Sequence, residues 1–216
     1  SVIGALPDRF PRDDAIELAT DNAATFYLAG HETTANLTSW TLFVLSEQPE
    51  LQGRIAEEAE AALRTGVDAA LPDRLPLLRA VVHETLRLYP PVPRFDREAV
   101  AEDMLGEHEV RPGDLVSIWP WIIQRHKELW DNPDAFDPDR FAADRKEARH
   151  RFQYLPFGAG PRTCVGARFA MAEALTILAI WLRRWRFAPI PGREVRPSGM
   201  VTLRQQGGLP LILSTR

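Results

Sequence analysis

Cys164 is the only cysteine among the 216 residues, and its setting differs from that of a sulfur packed into a core. It closes the run Phe157-Gly158-Ala159-Gly160-Pro161-Arg162-Thr163-Cys164, followed by Val165-Gly166. Gly158 and Gly160 let the backbone bend close to a flat ligand. A helical pattern begins at Gly166, and the positive end of that helix favours the thiolate form of Cys164. Arg162, two residues earlier, can meet a carboxylate. Gly166 permits close packing beneath the loop. A thiolate held this way is a soft axial ligand for iron in a flat macrocycle. A lone cysteine in a turn is more often structural; the glycine-rich context reverses that preference. A single cysteine also excludes an internal disulfide, Cys-x-x-Cys zinc or redox chemistry, and the Cys-x-x-Cys-His haem attachment.

A second constellation lies in a long helical pattern, at Ala29-Gly30-His31-Glu32-Thr33-Thr34. A glycine, an acid and two hydroxyls stand where leucines would pack better. Burial raises a carboxyl pKa, so Glu32 is a candidate proton relay, and Thr33 a candidate to hold a water. Gly30 removes bulk where a ligand would approach. The rival reading is a threonine bonded back to its own helix and a solvent-facing Glu32. Glu84 and Arg87, three apart, share one helix face, usually the mark of a surface salt bridge.

The elements that must hold these residues are mostly helical. Asp13–Glu47 reads as one helix, apolar nearly all round and therefore buried. Glu50–Arg64 is amphipathic, and Leu77–Leu88 follows Pro76 and stops at Tyr89-Pro90-Pro91. Arg94–Ile118 reads as short strands with turns at Gly106 and Pro112-Gly113. Trp119–Lys127 is a short helix and Asp131–Phe141 is irregular. Gly166–Arg184 is a helix, and Trp185–Thr215 forms short strands around Gly207-Gly208. The fold class is mainly α with small β-sheets (α+β).

The cysteine loop resembles the haem-binding signature of the cytochrome P-450 superfamily, Phe-x-x-Gly-x-x-x-Cys-x-Gly, at Phe157, Gly160, Cys164 and Gly166, with Arg162 at the usual basic position. Three further segments stand in the family's order. Ala29-Gly30-x-Glu32-Thr33-Thr34 resembles the oxygen-activation motif, Glu84-x-x-Arg87 the Glu-x-x-Arg motif, and Pro138-Asp139-Arg140-Phe141 the Pro-Glu-Arg-Phe segment, with Asp for Glu. The resemblance implies the C-terminal half of that fold, a long central helix over a cysteine-ligand loop, with residues 1–216 one haem-binding portion and the N-terminal half absent. It implies haem b (iron protoporphyrin IX), bound at Phe157, Gly158, Gly160, Arg162, Cys164, Gly166, Arg97, Ala29 and Gly30, with Cys164 on the iron. Glu32 and Thr33 are then the catalytic pair. Glu84, Arg87 and Arg140 become a buried structural network under the haem. Arg97 pairs with a haem propionate, while Arg94 faces the substrate. Ala29, Thr33, Val92, Arg94 and the Gln206-Gly207-Gly208 turn are candidates for the pocket wall, and His31 has an outward or pocket-lining role and is not an iron ligand.

The expected activity is a haem-thiolate monooxygenase inserting one atom of O2 into a small hydrophobic organic substrate. The sequence shows no flavin or iron–sulfur motif, so electrons are expected from a separate donor, a ferredoxin or flavoprotein reductase, docking near Arg151, Arg162 and Arg168. The alternatives are a peroxide-using peroxygenase and a truncated, non-catalytic haem-binding fragment. Net charge is −4, which gives no bulk attraction to nucleic acid. No apolar run reaches the roughly 18–20 residues of a membrane span. Ser1–Asp8 lacks a signal-peptide pattern. A lone cysteine fits a reducing, cytoplasmic setting. Without an initiator Met the chain is expected to be a piece of a longer protein, with the complementary N-terminal half as its partner.

Overall fold

The computed structural model describes residues 12–142, 149–199 and 201–216. Ser1–Asp8 lies outside them. Helix α1 (Arg12–Ser46) runs 35 residues, roughly 50 Å at 1.5 Å per residue. Asp13 and Asp14 stand in its first turn, where negative charge meets the positive helix end. The helix has two unlike halves. Leu37, Trp40, Leu42, Val44 and Leu45 are buried, whereas Ile16, Phe26, Tyr27 and Leu28 are exposed, Leu28 to 70%. The all-round apolar pattern predicts burial throughout; ahead of Glu32 Ala15 alone is buried among the described residues, and the buried run begins at Thr34.

Those partners are α2 (Pro49–Leu63), α3 (Pro76–Leu88) and α5 (Ala167–Arg184). Leu37, Leu45, Ile55, Leu78, Val81, Leu86, Leu175, Leu178 and Leu182 meet in one core. Burying side chains of this size stabilises by about 1.5–3 kcal/mol each before entropy is counted. Proline opens both α2 and α3, where its missing N–H would be unpaired in any case. The Glu58 carboxylate from α2 accepts the N–H groups of Leu77 (2.7 Å) and Leu78 (2.9 Å), so one helix caps the next. Gln52 is buried and couples three elements. Its Nε2 donates to the Leu45 and Phe187 carbonyls, and its Oε1 accepts the Phe187 N–H.

Among the described residues the strands form four antiparallel pairs at the edges of this helical core. β1 (Phe95–Glu98) pairs with β4 (Leu115–Ile118), placing Arg97 opposite Val116. β2 (Asp103–Leu105) pairs with β3 (His108–Val110). The expected turns fall at Gly106 and Gly113, whose φ values of 64° and 91° suit glycine. One helical turn, α4 (Pro120–Ile123), stands where a longer helix to Lys127 is expected. After α5 come β5 (Trp185–Pro189), β6 (Pro197–Gly199), β7 (Leu203–Gln205) and β8 (Leu211–Thr215), paired β5–β8 and β6–β7. Trp40 ties α1 to the second pair: its Nε1 donates to the Leu203 carbonyl at 3.1 Å while its ring stacks on Tyr89 at 4.1 Å.

Candidate functional site

A cavity of about 680 Å³ lies between α1 and the cysteine loop. Ala29, Thr33, Thr34 and Leu37 of α1 form one wall. Phe157, Gly158, Arg162 and Cys164 form the opposite wall, with Ala170 of α5 beside them. Pro91, Val92 and β1 close the rim. Residues separated by more than a hundred positions thus face one space of the size that holds a cofactor.

The loop is built from its backbone. The Cys164 N–H donates to the Phe157 carbonyl at 2.9 Å, closing the segment on itself. Gly158 and Gly160 take φ of 71° and 72°, a region where side chains are strained. Gly160–Arg162 makes one 3-10 turn, and the Thr163 N–H and hydroxyl both donate to the Gly160 carbonyl. α5 starts three residues after Cys164, with Gly166 preceding its first turn. A methyl on Gly166 would meet only the Cys164 Sγ, at an ordinary 3.9 Å, so the close packing expected beneath the loop is not what requires glycine there. Cys164 is free and exposed, available to a ligand.

Thr33 lines the cavity and donates to the Ala29 carbonyl at 2.7 Å, bonded back to its own helix. Glu32 is placed differently from the expectation. It is not among the lining residues. Its Oε1 accepts from the Thr202 hydroxyl and from Arg204 Nε at 2.6 Å, with Arg204 Nη2 at 2.5 Å. The Thr202 hydrogen bond first, then Arg204, lowers its pKa, where burial was expected to raise it. The reason is geometric: successive residues on a helix point about 100° apart, so Thr33 faces the cavity while Glu32 faces the β6–β7 pair. Gly30 also lies off the cavity, and a methyl there would touch nothing within 4 Å. His31 is exposed, stacks on Tyr27 and is not among the cavity-lining residues, the outward of its two expected roles.

Arg97 and Arg162 stand at the cavity without a carboxylate partner among the described residues. Arg97 Nη1 donates to the Asp96 carbonyl and lies over the Phe95 ring. Arg94 turns elsewhere: it pairs with Asp96 at 2.8 Å and covers Trp119. Of the other proposed wall residues Val92 lines the cavity, and the Gln206-Gly207-Gly208 turn does not.

Glu84, Arg87 and Arg140 meet beneath this site. Arg87 and Glu84 are wholly buried, and all five guanidinium N–H groups find acceptors. Two go to Glu84 at 2.7 Å each, and three to the Gln124, Pro133 and Ala135 carbonyls. Glu84 also accepts the Asp137 N–H at 2.9 Å, and Arg140 Nε lies 3.5 Å from it. The link to the loop runs through a residue the sequence did not single out. Gln124, fully buried, donates to the Leu86 and Arg87 carbonyls and accepts the Leu155 N–H, two residues before Phe157. No motif marks it; only the tertiary fold brings it there. Next to Glu84, burial depresses the His83 pKa to about 4, and its Nδ1 meets the Tyr154 hydroxyl at 2.9 Å.

Residues 15–209 match the family model described as Cytochrome P450. The chain belongs to the cytochrome P450 family. It is 38% identical to cyclooctatin synthase of Streptomyces melanosporofaciens over 85% of this chain and 40% of that protein. It is 37% identical to cytochrome P450 714C3 of Oryza sativa subsp. japonica over 99% of this chain and 43% of that protein. The crystal structure of the cytochrome P450DA haem domain superposes with a TM-score of 0.82 at 29% identity, covering 89% of this chain and 43% of that one. This chain therefore spans about two fifths of the length of these relatives. Haem b is the cofactor of this P450 fold. The cavity fits it: a free sulfur, small side chains at Ala29 and Ala170, and two guanidinium groups without a carboxylate partner among the described residues for the anionic propionates.

Proposed function

We propose that this chain carries the haem-binding part of a haem-thiolate monooxygenase. One observation carries the reading: Cys164 of the glycine-rich loop and Thr33 of α1, 131 positions apart in sequence, line a single cavity. Cys164, whose backbone N–H donates to the Phe157 carbonyl and which stands three residues before α5, would supply the thiolate to the haem iron. Arg97 and Arg162 would hold the propionates. When bound, the haem supplies activation of O2 and insertion of one oxygen atom, with two electrons from a separate donor.

The protein's own work is binding, positioning and proton handling. Phe157 and Gly158 line the cavity where the ring would lie, and the Arg87–Gln124–Leu155 chain keeps that loop from shifting. Leu37, Leu86 and Val92 make the wall apolar, which suits a hydrophobic organic substrate. The Thr33 hydroxyl, bonded to the Ala29 carbonyl at 2.7 Å, is the protic group that α1 brings to the cavity beside its second threonine, Thr34. Glu32 is one residue away and draws protons from solvent.

The test is spectroscopic. The haem-loaded, reduced protein treated with carbon monoxide should show the red-shifted Soret band of thiolate ligation. Cys164→Ala should lose that band while keeping its far-UV circular dichroism. An unshifted band in the parent protein would overturn the assignment. Comparing turnover with an electron donor plus O2 against hydrogen peroxide alone separates the monooxygenase from a peroxygenase.

A further inference from the structure

The cysteine loop is entered through Tyr154 and Leu155, and both are tied to α3. The Leu155 N–H donates to Gln124 Oε1 at 2.8 Å, and Gln124 in turn holds the Leu86 and Arg87 carbonyls. The Tyr154 tie is made by its side chain, to His83, the residue before Glu84. We propose that His83 is a positioning residue for the cysteine loop: its Nδ1–H donates to the Tyr154 oxygen while the Tyr154 hydroxyl donates to the His83 carbonyl, and this closed pair fixes the segment that enters the loop. Its bearing on haem ligation rests on the monooxygenase reading above.

Proton counting selects this arrangement. The Tyr154 oxygen lies 2.9 Å from His83 Nδ1 and 3.2 Å from the His83 carbonyl oxygen. A carbonyl only accepts, so the single hydroxyl proton goes to it. Nδ1 must then bring its own proton, which leaves Nε2 as the bare nitrogen of a neutral ring. The opposite tautomer would send the hydroxyl proton to Nδ1 and leave two oxygens facing each other with no proton between them. Both groups stay neutral. Burial, then Arg79 and Arg149, lowers the His83 pKa to about 4. Burial, then the Glu84 carboxylate, holds the Tyr154 phenol well above its ordinary value. Phe141 closes the box: it stacks on His83 at 5.5 Å and lies 4.9 Å from the Tyr154 ring, with the Arg149 guanidinium over it at 4.4 Å.

The tie reaches the sulfur through the backbone. Three residues after Tyr154, the Phe157 carbonyl accepts the Cys164 N–H at 2.9 Å. Gln124 alone would leave the entering segment free to pivot about the Leu155 N–H. A second tie one residue earlier removes that rotation. The pair therefore sets where the Phe157 carbonyl stands, and with it the Cys164 peptide.

Tyr154→Phe, His83→Asn and His83→Leu test this in the haem-loaded, reduced, carbon monoxide-bound chain. Nitrogen-15 spectra of the imidazoles report the His83 tautomer, and hydrogen exchange reports opening at the Cys164 amide. The parent should show the Nδ1–H form. Tyr154→Phe keeps the ring and loses the tie, so Cys164 amide exchange should quicken by about five- to tenfold, the worth of one or two net hydrogen bonds. Amides in the buried part of α5, such as that of Leu178, should not change. Asparagine carries its amide nitrogen near the Nδ1 position, so His83→Asn should stay within about twofold of the parent. Leucine fills the site but cannot donate, so His83→Leu should match Tyr154→Phe. An Nε2–H imidazole in the parent overturns the proposal. So does an unchanged Cys164 amide in Tyr154→Phe, equal quickening throughout α5, or equal loss in His83→Asn and His83→Leu. Absence of the thiolate Soret band in the parent would remove the reading underneath; it is scored separately, since the tautomer is read whichever group binds the iron.

Discussion

Replacing Arg87 by Met tests what holds the cysteine loop from below. The substitution keeps much of the side-chain volume and removes the charge. It leaves the Glu84 carboxyl at zero exposure with, among the described residues, the Asp137 N–H and a longer Arg140 contact. Breaking a buried pair on one side costs about 3–5 kcal/mol, because the surviving charge has lost both water and partner. The Gln124, Pro133 and Ala135 carbonyls also lose their donor. In urea the unfolding midpoint should fall by about 1–2 M with the slope unchanged, given a slope of about 2–3 kcal/mol per M. Removing both charges in Glu84→Met/Arg87→Met should cost less than the two single changes added, by about 2 kcal/mol or more. The double variant still leaves three carbonyls and one N–H unpaired, at about 1 kcal/mol each, so it should stay below the parent. A loss under about 1 kcal/mol in Arg87→Met, or additivity within about 0.5 kcal/mol, would refute the claim that this pair is coupled and buried.

Other outcomes follow from the same geometry. Thr33→Val keeps the shape and removes the hydroxyl; coupled oxygen insertion should fall by roughly 100-fold or more, the scale of one positioned proton donor, with little change in thermal midpoint. Arg97→Ala should weaken haem retention, measured as faster transfer to apomyoglobin, while Arg97→Lys should keep part of it; equal rates in all three would remove Arg97 from the propionate site. The His83 pKa is depressed to about 4, so the unfolded chain binds the extra proton first as pH falls. Its contribution is therefore complete above about pH 6.5 and is lost progressively toward pH 4, by roughly 3 kcal/mol in total. His83→Gln should flatten the acid limb of a stability-versus-pH curve over that window, and an unchanged limb would place the titrating group elsewhere.

The helices were legible because prolines and apolar spacing are local signals. Pro49 and Pro76 open α2 and α3, and the expected ends lie within a residue or two of those observed. Cys164 and Thr33, which line one cavity, drew attention in the sequence because of the residue types beside them. Glu32 was only half legible. Its place on the helix followed from the sequence, but the environment depends on Thr202 and Arg204, some 170 positions away. Gln124 was invisible for a similar reason: an amide in a short helical region has no pattern until three segments close around it. The exposed start of α1 shows the limit of periodicity. An apolar face states that something should cover it, not which residues do.

Helix α1 therefore carries a gradient of local opening along its length. Beyond Thr34 its amide hydrogens can meet solvent only when the core separates, since Leu37, Trp40 and Leu45 are clamped by three other helices and the β6–β7 pair. Before Glu32 they are guarded by little more than the helix's own i to i−4 bonds, which are marginal for a segment of about 20 residues in water. In deuterium exchange this single helix should separate into a slow class and a fast class. Ala29 and Thr33 sit at the boundary, so the oxygen-side wall of the cavity is the last turn of the anchored segment and the first place where that wall can yield.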